Sequence, residues 1–195
     1  VGGGSINLAV TGDSGGIDLG AGLNAGNAAV NLTGPGHTLT LNADVITAGT
    51  PILIDDSVVL GTPALIALDT TNGVPGGANV TITGAVNDDL TPSGLVLSAG
   101  AFGANTLGGA VGNTVPIASF TANGNTTAIN GGLVNTTGNQ TYNGPVTLGT
   151  ATTLAATAPT ANIAINSSLS GGANGLTINA GNDITARGSV FSGPQ

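Results

Sequence analysis

A short alternating pattern, in which one aliphatic residue is followed by any residue and then by a second aliphatic, recurs along the whole of this chain. The first aliphatics of these triplets are Ile6, Ile17, Val30, Leu39, Ile52, Ile66, Val80, Leu95, Val146, Ile163 and Leu176. Alternation at a period of two is typical of a β-strand that turns one face inward. Up to Leu95 the triplets follow one another at short and fairly regular intervals, which predicts many short strands separated by frequent turns.

Residues that favour turns fill the spaces between these triplets. The chain contains 35 Gly, a weak helix former, and no segment places apolar residues at i, i+3, i+4 and i+7. Asn-Gly pairs occur at 72–73, 123–124, 130–131, 143–144 and 174–175. We expect them to supply the positive φ of tight corners. The sequence therefore predicts an all-β protein with a turn after each strand.

Internal repetition favours a solenoid. Residues 39–44 (LTLNAD), 95–100 (LVLSAG) and 176–181 (LTINAG) are near copies of one another. Repeated short units that cannot bury an apolar face alone do so by stacking on their neighbours.

Two architectures fit short strands with frequent turns, a parallel β-helix (β-solenoid) and an antiparallel β-sandwich. The strands are shorter than the ~5–6 residues typical of sandwiches, and the inward residues are aliphatic with few aromatics. Asn and Thr recur at the expected corners, where they can stack on equivalent residues of neighbouring coils. We predict a right-handed parallel β-helix and keep the sandwich as the alternative. Coils of about 20–35 residues would give roughly 6 to 9 coils and a rod about 30–45 Å long.

The chain is interpreted as one module. Residues 1–5 and 191–195 are too short to cap the ends of a solenoid, which are otherwise open to pairing with other chains. We therefore interpret residues 1–195 as a single β-solenoid module, a slice of a longer repeat protein or a subunit whose ends are covered by its neighbours.

The charge composition argues against several partners. The formal net charge is −8, only 5% of the residues are charged, and Arg187 is the sole cation. Nucleic acid and anionic membrane surfaces both need clustered Lys or Arg. No apolar run approaches the ~20 residues of a membrane-spanning helix, so we expect no membrane insertion. The absence of Cys excludes disulfides, thiolate metal sites and cysteine nucleophiles.

One segment carries a specific resemblance. The stretch NTTGNQTYNGPVTLG at residues 135–149, with its lead-in at 108–132, resembles a repeat of very large bacterial exoproteins of the filamentous haemagglutinin and adhesin type. The segment GGIDLGAGLNAGN at residues 15–27 is similar to turns of the same proteins. The resemblance implies an exported, right-handed parallel β-helix that serves as an adhesin stalk and crosses the outer membrane unfolded. Family copies often carry an Asp in the run that here reads LGTATTL (148–154). The repeat brings no catalytic residue.

Calcium is the metal that the charge would favour, because it prefers six to eight oxygen ligands. Acidic pairs occur at Asp55-Asp56 and Asp88-Asp89. Adjacent residues of a strand point to opposite faces, so we expect these to be solvated turn acids. No residue is assigned as a metal ligand, and no cofactor is expected.

Catalytic chemistry has few reagents in this chain. Polysaccharide lyases and hydrolases need clustered carboxylates with His, Lys or Arg partners. His37 and Arg187 are the only such partners and lie far apart in the sequence, at opposite ends of any solenoid, and His37 is expected in a turn. We assign no catalytic residue and expect a non-enzymatic protein. Four aromatic residues are expected in the core or in stacks between coils rather than in a sugar-binding platform. They are Phe102, Phe120, Tyr142 and Phe191.

The functional hypothesis is an extracellular, cell-surface structural module, the rigid stalk of a bacterial adhesin. Its expected partners are adjacent repeats or copies of itself, together with a host or neighbouring-cell receptor or glycan. The alternative is a self-assembling extracellular filament or surface-layer subunit. A remote alternative is a carbohydrate-binding or carbohydrate-cleaving β-helix.

Overall fold

The fold is all-β and is known from a computed structural model that describes residues 3–11 and 15–191. Of the two ends that were predicted to be uncapped, residues 1–2 and 192–195 lie outside the described residues. The strands are β1 (Ser5–Ala9), β2 (Ile17–Leu19), β3 (Leu23–Asn24), β4 (Ala29–Leu41), β5 (Val45–Ile46), β6 (Ile52–Leu60), β7 (Leu65–Asp69), β8 (Val80–Ile82), β9 (Val86–Asp88), β10 (Gly94–Leu107), β11 (Ser119–Ile129), β12 (Leu133–Thr136), β13 (Gln140–Tyr142), β14 (Val146–Leu148), β15 (Thr152–Ala156), β16 (Ile163–Ile165), β17 (Leu169–Ser170), β18 (Leu176–Ala180), β19 (Ile184–Ala186) and β20 (Val190–Phe191). Every one of the aliphatic triplets lies in these strands.

The strands form three faces of a solenoid, and each turn of the chain visits them in the order A, B, C. Face A stacks β1, the start of β4 and β6, β8, the ends of β10 and β11, β14, β17 and β20. Face B stacks β2, the ends of β4 and β6, β9, β12, β15 and β18, with Val111 between β9 and β12. Face C stacks β3, β5, β7, the starts of β10 and β11, β13, β16 and β19.

Every pairing between these strands is parallel, which confirms the β-solenoid and excludes the antiparallel sandwich. On face A the paired inward positions define eight turns. Turns 1 to 8 begin at Ile6, Val30, Ile52, Val80, Asn105, Thr127, Val146 and Leu169. The shortest turn runs from Thr127 to Val146, and the longest runs from Ile52 to Val80. At ~4.8 Å per turn the stack is about 38 Å long.

A single aliphatic core runs along the axis. The inward side chains of all three faces are fully or nearly fully buried from turn 2 to turn 7, and the aliphatic and aromatic ones belong to one cluster. In the described residues no helix is present that is long and apolar enough to cross a membrane.

One local prediction is wrong. Only Gly73 of the five Asn-Gly pairs has a positive φ, 72°. At two of the other four pairs the glycine lies against stacked backbone. A Cβ on Gly131 would lie 2.0 Å from the carbonyl carbon of Gly109, and a Cβ on Gly144 would lie 2.1 Å from the carbonyl oxygen of Gly124. The near copies at 39–44 and 95–100 occupy different faces, B and C, because the distance between them along the chain is not a whole number of turns.

Candidate functional sites

The fold separates the two cationic or basic side chains of the chain. His37 lies at the corner between faces A and B in turn 2, beside Gly36, which has a φ of 85°. Arg187 follows β19 in turn 8. Six turns at ~4.8 Å place them about 29 Å apart along the axis. They cannot act on one bond of a substrate.

The acidic pair of turn 3 lies at the corner between faces A and B, and both residues border one open depression. Asp55 is exposed and its Oδ1 accepts a hydrogen bond of 2.8 Å from the Thr83 hydroxyl of the next turn. Asp56 is 9% exposed, and its Oδ1 accepts a bond of 2.7 Å from the backbone N–H of Ser57. The pair thus combines one exposed carboxylate with one that is largely buried.

The acidic pair of turn 4 closes a loop. Asp88 is 4% exposed, and its two oxygens accept the backbone N–H groups of Asp89 (2.9 Å) and Ser93 (2.8 Å). The exposed Asp89 accepts hydrogen bonds from the hydroxyl and from the backbone N–H of Thr91. Both bonds lower the pKa of the Asp89 carboxyl, and the bond from the hydroxyl has the larger effect. The prediction of solvated acids is therefore wrong for Asp56 and Asp88, which are buried. Hydrogen bonds from backbone N–H groups compensate the cost of burying them.

Metal ligands do not gather in the described part of the chain. There, no group of three or more His, Cys, Asp or Glu side chains lies close enough to hold an ion.

A groove of about 390 Å³ lies at the corner between faces B and C in turns 1 to 3. It forms because β7 has five residues and the strands β3 and β5 below it have only two, so the start of β7 has no paired strand beneath it. Leu65 and Ile66 line its apolar side, and Asn42 and Asp44 line its polar side. Among the described residues that line the groove, Asp44 is the one titratable group, whereas a glycoside hydrolase uses a pair of carboxylates.

Two of the four aromatic residues are in the core, as predicted. Phe120 and Tyr142 are fully buried on successive turns of face C, with ring centroids 5.6 Å apart. Phe102 and Phe191 are 83% and 65% exposed, and for them the prediction is wrong. Phe102 lies in a bulge: residues 101–103 of β10 stand opposite the single residue Asn125 of β11, so two of them have no equivalent in the next turn.

A buried polar tie joins faces B and C in turns 6 and 7. The Gln140 side-chain amide donates to the carbonyl oxygens of Val134 (3.0 Å) and Ala155 (2.7 Å). The Tyr142 hydroxyl donates to Gln140 Oε1 at 2.9 Å. Burial raises the pKa of the Tyr142 hydroxyl well above its usual range. Both residues belong to the segment 135–149, and nothing in their local periodicity signals this role.

An asparagine ladder runs along the corner between faces C and A. The Asn143 amide donates to Asn123 Oδ1, and the Asn166 amide donates to Asn143 Oδ1, both at 2.7 Å. A shorter ladder joins Asn7 to Asn31 at 2.6 Å. The expected stacking of corner Asn residues on neighbouring coils is therefore observed. The signal in the sequence is the return of Asn once in each successive turn, at positions 123, 143 and 166.

Aliphatic side chains remain accessible in the first and last described turns. In turn 1 Leu8 is 37% exposed. In turn 8 and the strand after it Ile184 is 46% exposed and Val190 is 39% exposed. Equivalent positions in the middle turns are buried.

Comparisons of the chain with protein-family models, with curated proteins and with solved structures found no match. The similarity of residues 135–149 to adhesin repeats therefore stays a prediction.

Proposed function

We propose that this chain is a non-enzymatic structural module, the rigid stalk of a bacterial adhesin at the cell surface. The observation that carries the proposal is the uninterrupted parallel pairing on face A from β1 to β20. Backbone hydrogen bonds, the axial core and the Asn ladders all run along one direction. Bending the rod would stretch all three, which suits a part whose role is to hold other parts at a distance.

The proposed setting follows from composition and resemblance. A chain without Cys has no disulfide to block export in an unfolded state, and segment 135–149 resembles repeats of exported adhesins. The proposed partners are adjacent repeats of the same protein and a host or neighbouring-cell receptor or glycan. No cofactor is included in this proposal.

Rigidity can be measured directly because the chain has no native Cys. Asn31 and Ser170 occupy the same outward column of face A, six turns apart. Spin labels on Asn31→Cys and Ser170→Cys should give one narrow distance distribution centred at about 29 Å. The same pair in urea supplies the broad reference. A broad or two-peaked distribution in buffer would show a hinge and contradict the stalk.

The non-enzymatic part of the proposal has its own test. Purified chain incubated with a panel of bacterial and host polysaccharides should release no new reducing ends or unsaturated products. Cleavage that Asp44→Asn abolishes would instead establish the groove as a catalytic site, and the remote alternative would replace the stalk.

A self-assembling filament is the second candidate, and the accessible aliphatics of the end turns favour it. In a head-to-tail stack the last turn of one copy would cover Leu8 of the next. Sedimentation at rising concentration would then show a ladder of oligomers. The variants Leu8→Asn and Val190→Asn should abolish it, whereas the control Leu90→Asn, at a side position that is 79% exposed, should not. A monomer at all concentrations rules the filament out.

A further inference from the structure

The five Asn-Gly pairs of the chain differ sharply in how the fold holds them. Asn72 and Gly73 lie in the exposed part of the loop between Thr71 and Ala78. The Asn72 side chain makes no hydrogen bond with the described residues, and neither does the backbone N–H of Gly73. A Cβ on Gly73 would meet no atom within 4 Å, so the surrounding space is open.

The pair at Asn143 is the informative contrast, because Asn143 is also exposed. Its Nδ2 donates to Asn123 Oδ1, and its Oδ1 accepts from Asn166 Nδ2, both at 2.7 Å. Gly144 is packed under the chain, since its Cβ would lie 2.1 Å from the carbonyl oxygen of Gly124. The two Asn residues are thus both exposed, whereas Gly73 is exposed and Gly144 is buried, and only the loop pair is free to move.

The other three pairs are restrained in different ways. The Asn123 side chain belongs to the same ladder. Asn174 Nδ2 donates to the carbonyl oxygen of Leu148 at 2.8 Å. Gly131 lies against the backbone of Gly109.

We propose that Asn72 is a site of spontaneous covalent modification, at which its side-chain amide is converted to a carboxyl group. The backbone nitrogen of Gly73 loses its proton and attacks Cγ of Asn72, forming a C–N bond. The bond from Cγ to Nδ2 breaks, and ammonia leaves with the displaced proton. Water then opens the five-membered succinimide at either carbonyl, giving aspartate or isoaspartate at position 72.

The fold controls this reaction through two requirements. The side chain must rotate until Cγ faces the following nitrogen, and that nitrogen must be free to approach. At Asn72 neither movement breaks a side-chain contact. At Asn143 rotation breaks two hydrogen bonds of the ladder, and the packed Gly144 cannot move toward it. The loop pair therefore reacts in the native protein, and the ladder pair is protected.

Peptide mapping by mass spectrometry tests the assignment. The native chain is incubated at mildly alkaline pH, and the conversion at positions 72 and 143 is followed with time. Conversion at Asn72 should be at least about tenfold faster, which corresponds to about 1.4 kcal/mol in barrier height. It should accelerate with pH, because only the deprotonated Gly73 nitrogen attacks. In urea the two rates should become similar. Equal rates in the folded protein would overturn the proposal.

Two variants test whether Asn143 is protected by the hydrogen bonds of the ladder or reacts slowly because of the residues next to it in the sequence. In the double variant Asn123→Ala and Asn166→Ala, both hydrogen bonds of the Asn143 amide are removed, and conversion at Asn143 should rise. Asn72→Gln should leave position 72 unmodified over the same period. Circular dichroism checks that each variant is folded. Unchanged protection of Asn143 in the folded double variant would show that the ladder is not what protects it.

Discussion

At the scale of single residues, the polar side chains with the greatest effect are those placed inside the aliphatic core. Gln140 and Tyr142 each have their hydrogen-bonding atoms matched, and the Gln140 amide reaches backbone oxygens of two successive turns on face B. Buried polar groups are costly unless matched. The tie therefore joins two turns of face B to face C inside the core.

Tyr142 makes the stability of the chain sensitive to alkaline pH. Burial raises its pKa in the folded state, whereas the unfolded chain titrates near ~10. Below that pH both states keep the proton. Above it only the unfolded state releases the proton, so the free energy of unfolding should fall by about 1.4 kcal/mol per pH unit.

Urea unfolding between about pH 9 and 12 measures this slope. The titration is clean, because the chain has one Tyr, no Cys and no Lys. Tyr142→Phe should be less stable at neutral pH, by about 1 kcal/mol for the lost hydrogen bond, and its stability should not change over the alkaline range. A slope that persists in this variant would contradict the assignment.

Core packing at single residues can be tested with two leucines. Leu97 is fully buried in turn 4, and Leu90 is exposed. We expect Leu97→Ala to cost about 2–5 kcal/mol and Leu90→Ala to stay within about 0.5 kcal/mol of the wild type. Urea unfolding of the two variants provides the comparison, and similar losses would contradict the described core.

At the scale of elements, the corners decide how closely successive turns approach. Gly84, Gly109 and Gly131 follow the strands of face A in turns 4, 5 and 6, and each lies against the backbone of the turn before it. The absence of a side chain permits this contact. Glycine is needed here for space. Of the three only Gly131 belongs to an Asn-Gly pair, for which the sequence predicted a positive φ that the structure does not show.

A matched pair of substitutions tests the corner packing. A Cβ on Gly131 would lie 2.0 Å from backbone, whereas a Cβ on Gly175 would meet nothing within 4 Å, and neither glycine has a positive φ. We therefore expect Gly131→Ala to destabilise the chain by about 1–3 kcal/mol, as overpacking does. Gly175→Ala should be neutral or slightly stabilising. Thermal unfolding of both proteins would measure the difference, and equal melting temperatures would contradict it.

At the scale of the whole molecule, stability is a property of neighbouring turns. Each middle turn is covered on both sides by equivalent turns, and the first and last described turns have such cover on one side only. In solenoids the free energy is approximately the sum of the terms for each repeat and each interface. The exposed Leu8 and Val190 mark where interface terms are missing.

Hydrogen exchange should report this gradient along the axis. We expect the slowest amide exchange in the strands of turns 3 to 6 and the fastest in β1, β2, β19 and β20, because opening at the ends breaks only one interface. Mass spectrometry of exchanged peptides would show it. If copies stack head to tail at high concentration, amide exchange in the end strands should slow down at that concentration. Uniform exchange along the chain at every concentration would contradict the expected gradient.

The aliphatic triplets and the turn residues between them determined an all-β chain of short strands, because alternation over three residues already selects an inward face. They favoured a parallel β-solenoid and left the antiparallel sandwich open, and the parallel pairing of successive turns decided between the two. They also indicated the stacking of corner Asn residues. Only the tertiary structure decided that Asn105 and Thr127 occupy inward positions of face A, that Asp56 and Asp88 are buried and that Phe102 is exposed. The reason is physical: the side on which a residue lies depends on its register with residues a full turn away along the chain, and that register is established by stacking rather than by local pattern.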